Sequence, residues 1–231
     1  MSVTRLSHDV WAIAHPFVSA YVIVADEPVV VDTGVAKRVT DLVVSIDRIG
    51  VHPPSVRHIA VTHYHLDHIG GLSRLQTIAG NATTCVHPVD APVARGEAPH
   101  PGPSSGGWKG SVGAWLGPRL AGRPSPARVD REILDGEHVC EGLLAVHTPG
   151  HTGGHVSYLW EPEGVLFVGD AASNMRGELA PPIGFFTEDR QLMKESILRL
   201  AGLEFEVAVF GHGKPIERDA ASAFRALAGS L

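Results

Sequence analysis

Continuous apolar runs form much of the chain, and short turns that contain charged residues, glycine or proline separate them. Because these runs lack alternating polar positions, they predict strands that are buried on both faces of a sheet. Similar runs recur in the second half of the chain. The predicted strands are Val10–Ile13, Ala20–Val24, Val29–Val31, Val56–Val61, Thr83–Val86, Leu143–His147, Val156–Trp160, Val165–Val168 and Val207–Phe210.

Other segments carry apolar residues at helical spacing. Val39, Leu42 and Ile46 lie three or four positions apart, which predicts one helical face, and Gly50 is a suitable C-terminal stop. Because each half of the chain has strands followed by helices, we predict an α+β fold of two mixed β-sheets packed face to face with helices outside. The other predicted helices are Gly71–Ala79, Arg190–Leu203 with Thr187 as its N-cap, and Arg218–Ala228.

The segment 95–128 departs from this pattern. It is dense in glycine and proline, contains Trp108 and Trp115, and has little regular periodicity. Long segments of this kind inside a compact domain are usually functional lids or mobile loops. We therefore expect a single domain over 1–231 with a lid-like insertion whose tryptophans cover a pocket. A plain surface insertion is the alternative.

Composition limits the classes of function. The 231 residues are 44% hydrophobic and 19% charged, which is typical of one globular domain. The formal charge of −6 does not favour binding to nucleic acid or to an anionic membrane. The N-terminus lacks the apolar core of a secretory signal, and no apolar run approaches the roughly 18 residues that span a bilayer. The two cysteines, Cys85 and Cys140, make no disulfide framework. We expect a cytoplasmic protein.

The 14 histidines are the unusual feature, because several cluster. The turn after the strand that ends at Val61 contains His63, His65, Asp67 and His68. So many nitrogen and oxygen donors in one turn are typical of a metal site.

Three further donors each follow an apolar strand, where loops gather along one edge of a sheet. They are His151, Asp170 and His212, and the glycines beside Asp170 and His212 let the backbone turn tightly there. Three neutral imidazoles would leave one position open at a catalytic metal. A first metal would take His63, His65 and His151; a second would take Asp67, His68 and His212, with Asp170 bridging. A water held between two cations would ionise near neutral pH, and the resulting hydroxide could attack substrate.

The sequence HYHLDH resembles the HxHxDH signature of the metallo-β-lactamase superfamily. HTPGHT around His151, GD at Asp170, GHG around His212 and the turn Asp32-Thr33-Gly34 continue the resemblance, in the family's order. The resemblance implies a four-layer αβ/βα sandwich with two metal ions in a groove at one edge of the sheets. Zinc is the expected metal, and iron and manganese are the alternatives. The resemblance also implies that Asp32 lies behind the metal loop.

Positions at which the chain departs from the family pattern reduce the range of expected substrates. The commonest zinc β-lactamases have a cysteine where this chain has Asp170 and lack the histidine at His68, so an antibiotic substrate is not expected. The full ligand set is similar to that of the hydroxyacyl-glutathione hydrolase and lactonase branch. Acyl-homoserine lactonases carry a tyrosine shortly after the bridging aspartate, whereas this chain has Ala171-Ala172-Ser173-Asn174.

We therefore expect a binuclear metallo-hydrolase that cleaves an ester, thioester or lactone of a small molecule, with Asp67 also orienting the hydroxide and accepting a proton. The resemblance leaves three alternatives: a mononuclear-iron persulfide dioxygenase, a phosphodiesterase, and a non-catalytic metal-binding module. A homodimer is left open. The residues predicted to contact substrate are Trp108, Trp115, Ser173, Asn174 and Arg176.

Overall fold

The computed structural model of the protein describes residues 1–16, 18–101, 125–175, 177–182 and 186–231. The predicted insertion at 95–128 lies largely outside the described residues, as do Trp108, Trp115 and Arg176. The predictions of a lid-like insertion and of a single domain stay predictions. Among the described residues, no helix has the length and apolar character needed to cross a membrane.

Seven strands of the described chain form the first sheet, in which spatial order follows chain order. Neighbours from β1 to β4 are antiparallel, and neighbours from β4 to β7 are parallel. The strands are β1 Ser2–Arg5, β2 Val10–Ala14, β3 Ser19–Ile23, β4 Val29–Val31, β5 His58–Ala60, β6 Thr83–Val86 and β7 Arg131–Glu132.

The second sheet has four described strands in the order β11-β10-β9-β8. β9 is antiparallel to both β8 and β10, whereas β10 and β11 are parallel. As the continuous apolar runs predict, every residue of β3, β4, β9, β10 and β11 is buried. The strands are β8 Leu143–His147, β9 Val156–Trp160, β10 Val165–Gly169 and β11 Val207–Phe210.

Helices cover the outer face of each sheet. The α-helices in the described part of the chain are α1 Val39–Arg48, α2 Leu66–Ile69, α3 Leu72–Ile78, α4 Ala91–Ala94, α5 Arg190–Ala201 and α6 Ala220–Ala228. Leu42 of α1 packs in the cluster that covers the first sheet, and Phe224 of α6 packs in the cluster that covers the second. A third cluster, with Ala60 and Phe167, fills the space between the sheets. The predicted four-layer sandwich of two mixed sheets is confirmed.

Strand β10 shows how the sequence builds this sandwich. Val165 and Phe167 point into the cluster between the sheets, while Leu166 and Val168 point into the cluster under the outer helices. Both faces of the strand are therefore apolar, because successive side chains of a strand point to opposite faces of its sheet.

The differences from the predicted elements have local causes. The predicted N-cap Thr187 is wrong: helix α5 begins at Arg190, and Asp189 caps it by accepting the backbone N–H groups of Gln191 and Leu192 at 2.8 and 3.0 Å. Strand β1 was not predicted because it is an edge strand with a polar, mostly exposed sequence. Strand β7 was not predicted because its two residues, Arg131 and Glu132, carry no apolar pattern.

Candidate metal centre

The seven predicted ligands come together at one edge of the sandwich. Chain leaving β5 reaches His63 and His65 directly and then forms α2, which contains Asp67 and His68. His151, Asp170 and His212 lie in the loops that follow β8, β10 and β11.

Three of the histidines form one tight group. His65 Nδ1 lies 3.0 Å from His63 Nε2 and 3.0 Å from His151 Nε2. Zinc–nitrogen bonds of about 2.0–2.1 Å in a tetrahedral site bring ligand nitrogens to about 3.4 Å from one another. The group is therefore close to the spacing of ligands that share one ion.

Asp170 connects this group to the remaining donors. Its Oδ2 lies 3.3 Å from His151 Nε2 and 3.2 Å from His212 Nε2, and its Oδ1 lies 3.6 Å from His68 Nε2. Asp67 Oδ2 lies 3.3 Å from the same His212 nitrogen. The central position of Asp170, between the two groups, is the position that a bridging carboxylate needs.

Two buried polar atoms of this cluster indicate that it is built for a ligand. His68 Nε2 and Asp170 Oδ1 have no hydrogen-bond partner among the described residues. Buried polar atoms are rarely left unpaired, because their desolvation then goes uncompensated. Candidate ligand atoms of His63, His65 and His151, and likewise of Asp67, His68 and His212, lie within 4.8 Å of one another. Imidazole and carboxylate donors in these numbers suit divalent zinc, iron or manganese, so the residues fit a metal.

The histidine pKa values differ between the two groups of donors. Burial holds the pKa of His63 well below its ordinary value and lowers the pKa of His65 to about 3, and neighbouring histidines add to both shifts. These imidazoles are therefore neutral, which is the form that binds a metal.

Burial also acts to lower the pKa values of His68 and His212, but nearby carboxylates outweigh it. The Asp170 charge contributes most to raising the pKa of His68 to about 9 and that of His212 to about 11. Burial would raise the pKa of Asp67, yet its hydrogen bond with His212 and the His68 charge hold that pKa below its usual range. A cation bound by these side chains would displace the imidazolium protons.

Asp32 lies behind the metal loop, as the resemblance implies. It is 2% exposed, and its Oδ1 accepts the Thr62 backbone N–H at 2.8 Å. Its Oδ2 accepts the Thr62 hydroxyl and His68 Nδ1–H, each at 2.7 Å. Because His68 donates through Nδ1, its Nε2 is left to face Asp170.

The same network fixes the orientation of His63. The Thr62 hydroxyl donates to Asp32, so it can only accept from His63 Nδ1, which lies 3.0 Å away. His63 Nε2 then faces the cluster without a proton. A carboxylate partner that sets the tautomer of a ligating histidine is a common feature of metal sites.

The His155 ring lies beside the cluster and hydrogen-bonds to the backbone of Asp170. Its Nε2 accepts the Asp170 backbone N–H at 2.9 Å, so its proton is on Nδ1, 2.8 Å from the Thr148 hydroxyl. Thr148 can in turn donate to Ser157, 3.0 Å away, and Ser157 donates to the Val168 carbonyl. The chain of hydrogen bonds holds the backbone on both sides of Gly169.

As predicted, the positions beside Asp170 and His212 need glycine, because a side chain there would clash or strain the backbone. A Cβ on Gly211 would meet Asp170 Oδ1 and would lie 2.6 Å from His68 Cε1. Gly169 adopts φ of +58° and Gly213 adopts φ of +108°, a region that residues with a Cβ rarely enter.

The described residues among the predicted substrate contacts make other contacts. Asn174 is buried, and its Nδ2 donates to the Lys214 carbonyl at 2.9 Å, so it holds the loop of His212. Ser173 exchanges backbone hydrogen bonds with Ala180. Their roles in binding substrate stay predictions, as does the second role of Asp67.

Sequence reasoning missed two acidic residues, Asp90 and Glu188, that link the metal loops. The hydroxyl of Tyr64, which lies between His63 and His65 in sequence, contacts one of these acids: it donates to Glu188 Oε1 at 2.6 Å. Burial raises the pKa of Asp90 to about 6, although three hydrogen bonds that it accepts oppose the shift. The only sequence signal for Asp90 is an acid shortly after strand β6.

Comparison with known proteins agrees with this geometry. Residues 15–212 match the metallo-beta-lactamase superfamily. The chain therefore belongs to the metallo-β-lactamase superfamily, a class defined here by both the sandwich and the clustered ligands.

Several relatives are named as hydrolases or as a thioesterase. The chain is 30% identical over 175 residues to the probable metallo-hydrolase YflN of Bacillus subtilis (strain 168), covering 70% of this chain and 66% of YflN. It is 28% identical to thioesterase pkgB of Emericella nidulans, covering 81% of this chain and 43% of pkgB. It is 29% identical to a hydroxyacylglutathione hydrolase of Nitrobacter hamburgensis, covering 48% of this chain and 32% of the relative. The chain spans less than two thirds of the length of each.

The Rm3 metallo-beta-lactamase is a solved structure with the same fold. It superposes with a TM-score of 0.74 at 19% sequence identity, over 98% of this chain and 91% of that one. At this identity the likeness concerns the fold alone.

Proposed function

We propose that the protein is a hydrolase with a binuclear metal centre, loaded with zinc, that cleaves an ester, thioester or lactone of a small molecule. The observation that carries the proposal is the group of seven donors with Asp170 at its centre, in which two buried atoms have no hydrogen-bond partner among the described residues. The names of the thioesterase and hydroxyacylglutathione hydrolase relatives support an acyl substrate.

The ligand assignment follows the two groups. His63, His65 and His151 would hold one ion, Asp67, His68 and His212 would hold the other, and Asp170 would bridge them. When bound in pairs, zinc ions lower the pKa of water from about 15.7 towards 7 and polarise a carbonyl oxygen.

The protein side chains set where substrate approaches. The side chains of His212 and Asp67 are 25% and 34% exposed, whereas those of His68, His151 and Asp170 are at most 8% exposed. His65 is also partly exposed, so among the described residues the cluster opens beside His65, Asp67 and His212. Asp67 is ionised, so its carboxylate can orient an attacking water and accept its proton at Oδ2.

A substrate panel tests the proposal. Protein reconstituted with zinc is assayed on aryl esters, a hydroxyacyl-glutathione thioester, lactones and a phosphodiester. We expect hydrolysis of at least one acyl substrate and loss of that activity on chelation. Activity on the phosphodiester alone, or hydrolysis of nothing in the panel, would contradict the proposal. Metal analysis with oxygen consumption on persulfide tests the iron dioxygenase alternative.

The role of Asp67 has its own test. The variant Asp67→Asn is compared with the unchanged protein for metal content and turnover. If this variant keeps full metal content and unchanged turnover, the proton-accepting role is excluded. The predictions of a cytoplasmic location and of a possible homodimer rest on sequence alone.

A further inference from the structure

The buried Asp90 carboxylate does not cap the helix that it precedes. Asp90 occupies the N-cap position of α4 and is 1% exposed, yet its side chain makes no capping hydrogen bond there. An aspartate at this position ordinarily accepts an N–H from the first turn of the helix. The Asp90 carboxylate instead accepts hydrogen bonds from other parts of the chain.

Its hydrogen bonds reach the two loops that carry the three-histidine group. Oδ2 accepts the Tyr64 backbone N–H at 3.0 Å and the Thr152 hydroxyl at 2.8 Å. Oδ1 accepts the Gly154 backbone N–H at 2.9 Å. Tyr64 lies between His63 and His65, and Thr152 follows His151 directly.

Glycine at 154 is part of this arrangement. A Cβ at Gly154 would meet Asp90 Oδ1 and would lie 2.6 Å from Asp90 Cγ. The loop after His151 can therefore approach the carboxylate this closely only because residue 154 has no side chain.

Glu188 joins the same two loops through other atoms. Its Oε1 accepts the Tyr64 hydroxyl at 2.6 Å, and its Oε2 accepts the Gly153 backbone N–H at 2.8 Å. Its own backbone N–H donates to the His151 carbonyl at 3.2 Å. Tyr64 is thus held through its main chain by Asp90 and through its side chain by Glu188.

The other group of donors has further contacts of its own. Asp32 accepts from His68, and the Tyr21 hydroxyl donates to the Phe210 carbonyl at 2.6 Å, two residues before His212. Among the described residues, the hydrogen bonds of Asp90 reach the histidine turn at Tyr64, between His63 and His65, and the loop of His151, but not the loops of Asp170 or His212. Because the histidine turn also carries Asp67 and His68, a change at Asp90 should disturb the three-histidine group more than the other group.

We infer that Asp90 is a positioning residue that sets the distance between the His63–His65 loop and the His151 loop, and so the affinity of the three-histidine group for metal. The inference rests on the ligand assignment proposed above. Asp90→Asn puts an amide NH₂ against backbone N–H or hydroxyl donors, so at least one buried donor loses its acceptor.

The test is zinc and cobalt binding by Asp90→Asn, with Asp130→Asn as matched control. Asp130 also accepts a backbone N–H, from Thr84, and a side-chain N–H, from Arg128, and neither partner lies in a loop that carries a predicted ligand. Zinc affinity is measured by competition with a chromophoric chelator. Cobalt absorption distinguishes the group of three imidazoles from the carboxylate-containing group.

We expect Asp90→Asn to weaken one of two zinc-binding events by about 10-fold or more and to lose the cobalt absorption of the three-histidine group, as happens when residues that orient ligands are changed. Asp130→Asn should bind as the unchanged protein does. Equal, unchanged binding by both variants would overturn the inference. Failure of the unchanged protein to bind two ions would instead contradict the proposed function.

A second variant covers the case in which Asp90→Asn does not fold. Thr152→Val removes one hydroxyl donor to Asp90 and keeps the shape of the side chain. It should fold, as circular dichroism would show, and weaken the same zinc-binding event by a smaller factor. Unchanged zinc affinity in folded Thr152→Val would also overturn the inference.

Discussion

The replacement Asp32→Asn tests how the second donor group is held. In the unchanged protein both Asp32 oxygens act only as acceptors, with three donors at 2.7–2.8 Å. If the NH₂ group of an asparagine at position 32 faces Thr62 Oγ1 and His68 Nδ1, its N–H groups meet two groups that are donors in the unchanged protein. If the amide turns the other way, its N–H groups meet the Thr62 backbone N–H. Neither orientation satisfies all three donors.

The expected magnitude follows from these contacts. A buried hydrogen bond to a charged group contributes about 1.5–3 kcal/mol. Loss of a carboxylate that orients a ligating histidine weakens metal binding by about 10- to 100-fold, which is about 1.4–2.8 kcal/mol. With asparagine at position 32, His68 can accept at Nδ1 and carry its proton on Nε2, the atom that faces Asp170. We therefore expect a 10- to 100-fold loss of affinity at the Asp67, His68 and His212 group.

Chelator competition measures that loss. Because the pKa of His68 is raised to about 9, nitrogen NMR of the histidine rings above that pH reports the tautomer of His68 in the metal-free protein. Asp130→Asn is the matched control, because Asp130 accepts the Thr84 backbone N–H at 2.9 Å and an Arg128 N–H at 2.6 Å away from the cluster. If Asp32→Asn binds two ions as tightly as Asp130→Asn, the reasoning about His68 is refuted.

Three further predictions concern stability and space. Tyr158→Phe removes the hydroxyl that donates to the Val61 carbonyl at 2.8 Å, so urea unfolding should show a loss of about 1–3 kcal/mol; an unchanged midpoint would contradict this. Gly211→Ala should fold but bind metal poorly, because the methyl group meets Asp170; wild-type metal content by mass spectrometry would show otherwise. Burial lowers the pKa of His87 to about 4, so the unfolded chain takes up its proton first as pH falls. Stability should therefore decline between about pH 6.5 and 4, and less steeply in His87→Gln than in the exposed control His52→Gln.

The clustering of the seven predicted ligands could be expected from sequence because each lies in a short segment whose context is local. Four donors share one turn, and Asp170 and His212 each follow a continuous apolar run that ends at a glycine. Such runs identify strands without any knowledge of their partners. The two sheets and the edge where the donors meet follow from the same pattern.

The residues that hold the ligands in place could not be predicted in this way. Asp90 contacts residues 26, 62 and 64 positions away, and Glu188 contacts Tyr64 across 124 positions. In sequence, each is one acid near the start of a helix, which is the usual pattern of a cap. The hydroxyls of Tyr21 and Tyr158 likewise donate to carbonyls of the opposite sheet, contacts that depend on how the sheets pack.

The most direct test of the central claim is the anomalous scattering of crystals grown with zinc, measured on both sides of the zinc absorption edge. The account predicts two zinc peaks, one among His63, His65 and His151 and one among Asp67, His68 and His212, with Asp170 between them. A map with no zinc peak in this cluster, or with zinc bound only elsewhere on the protein, would contradict it.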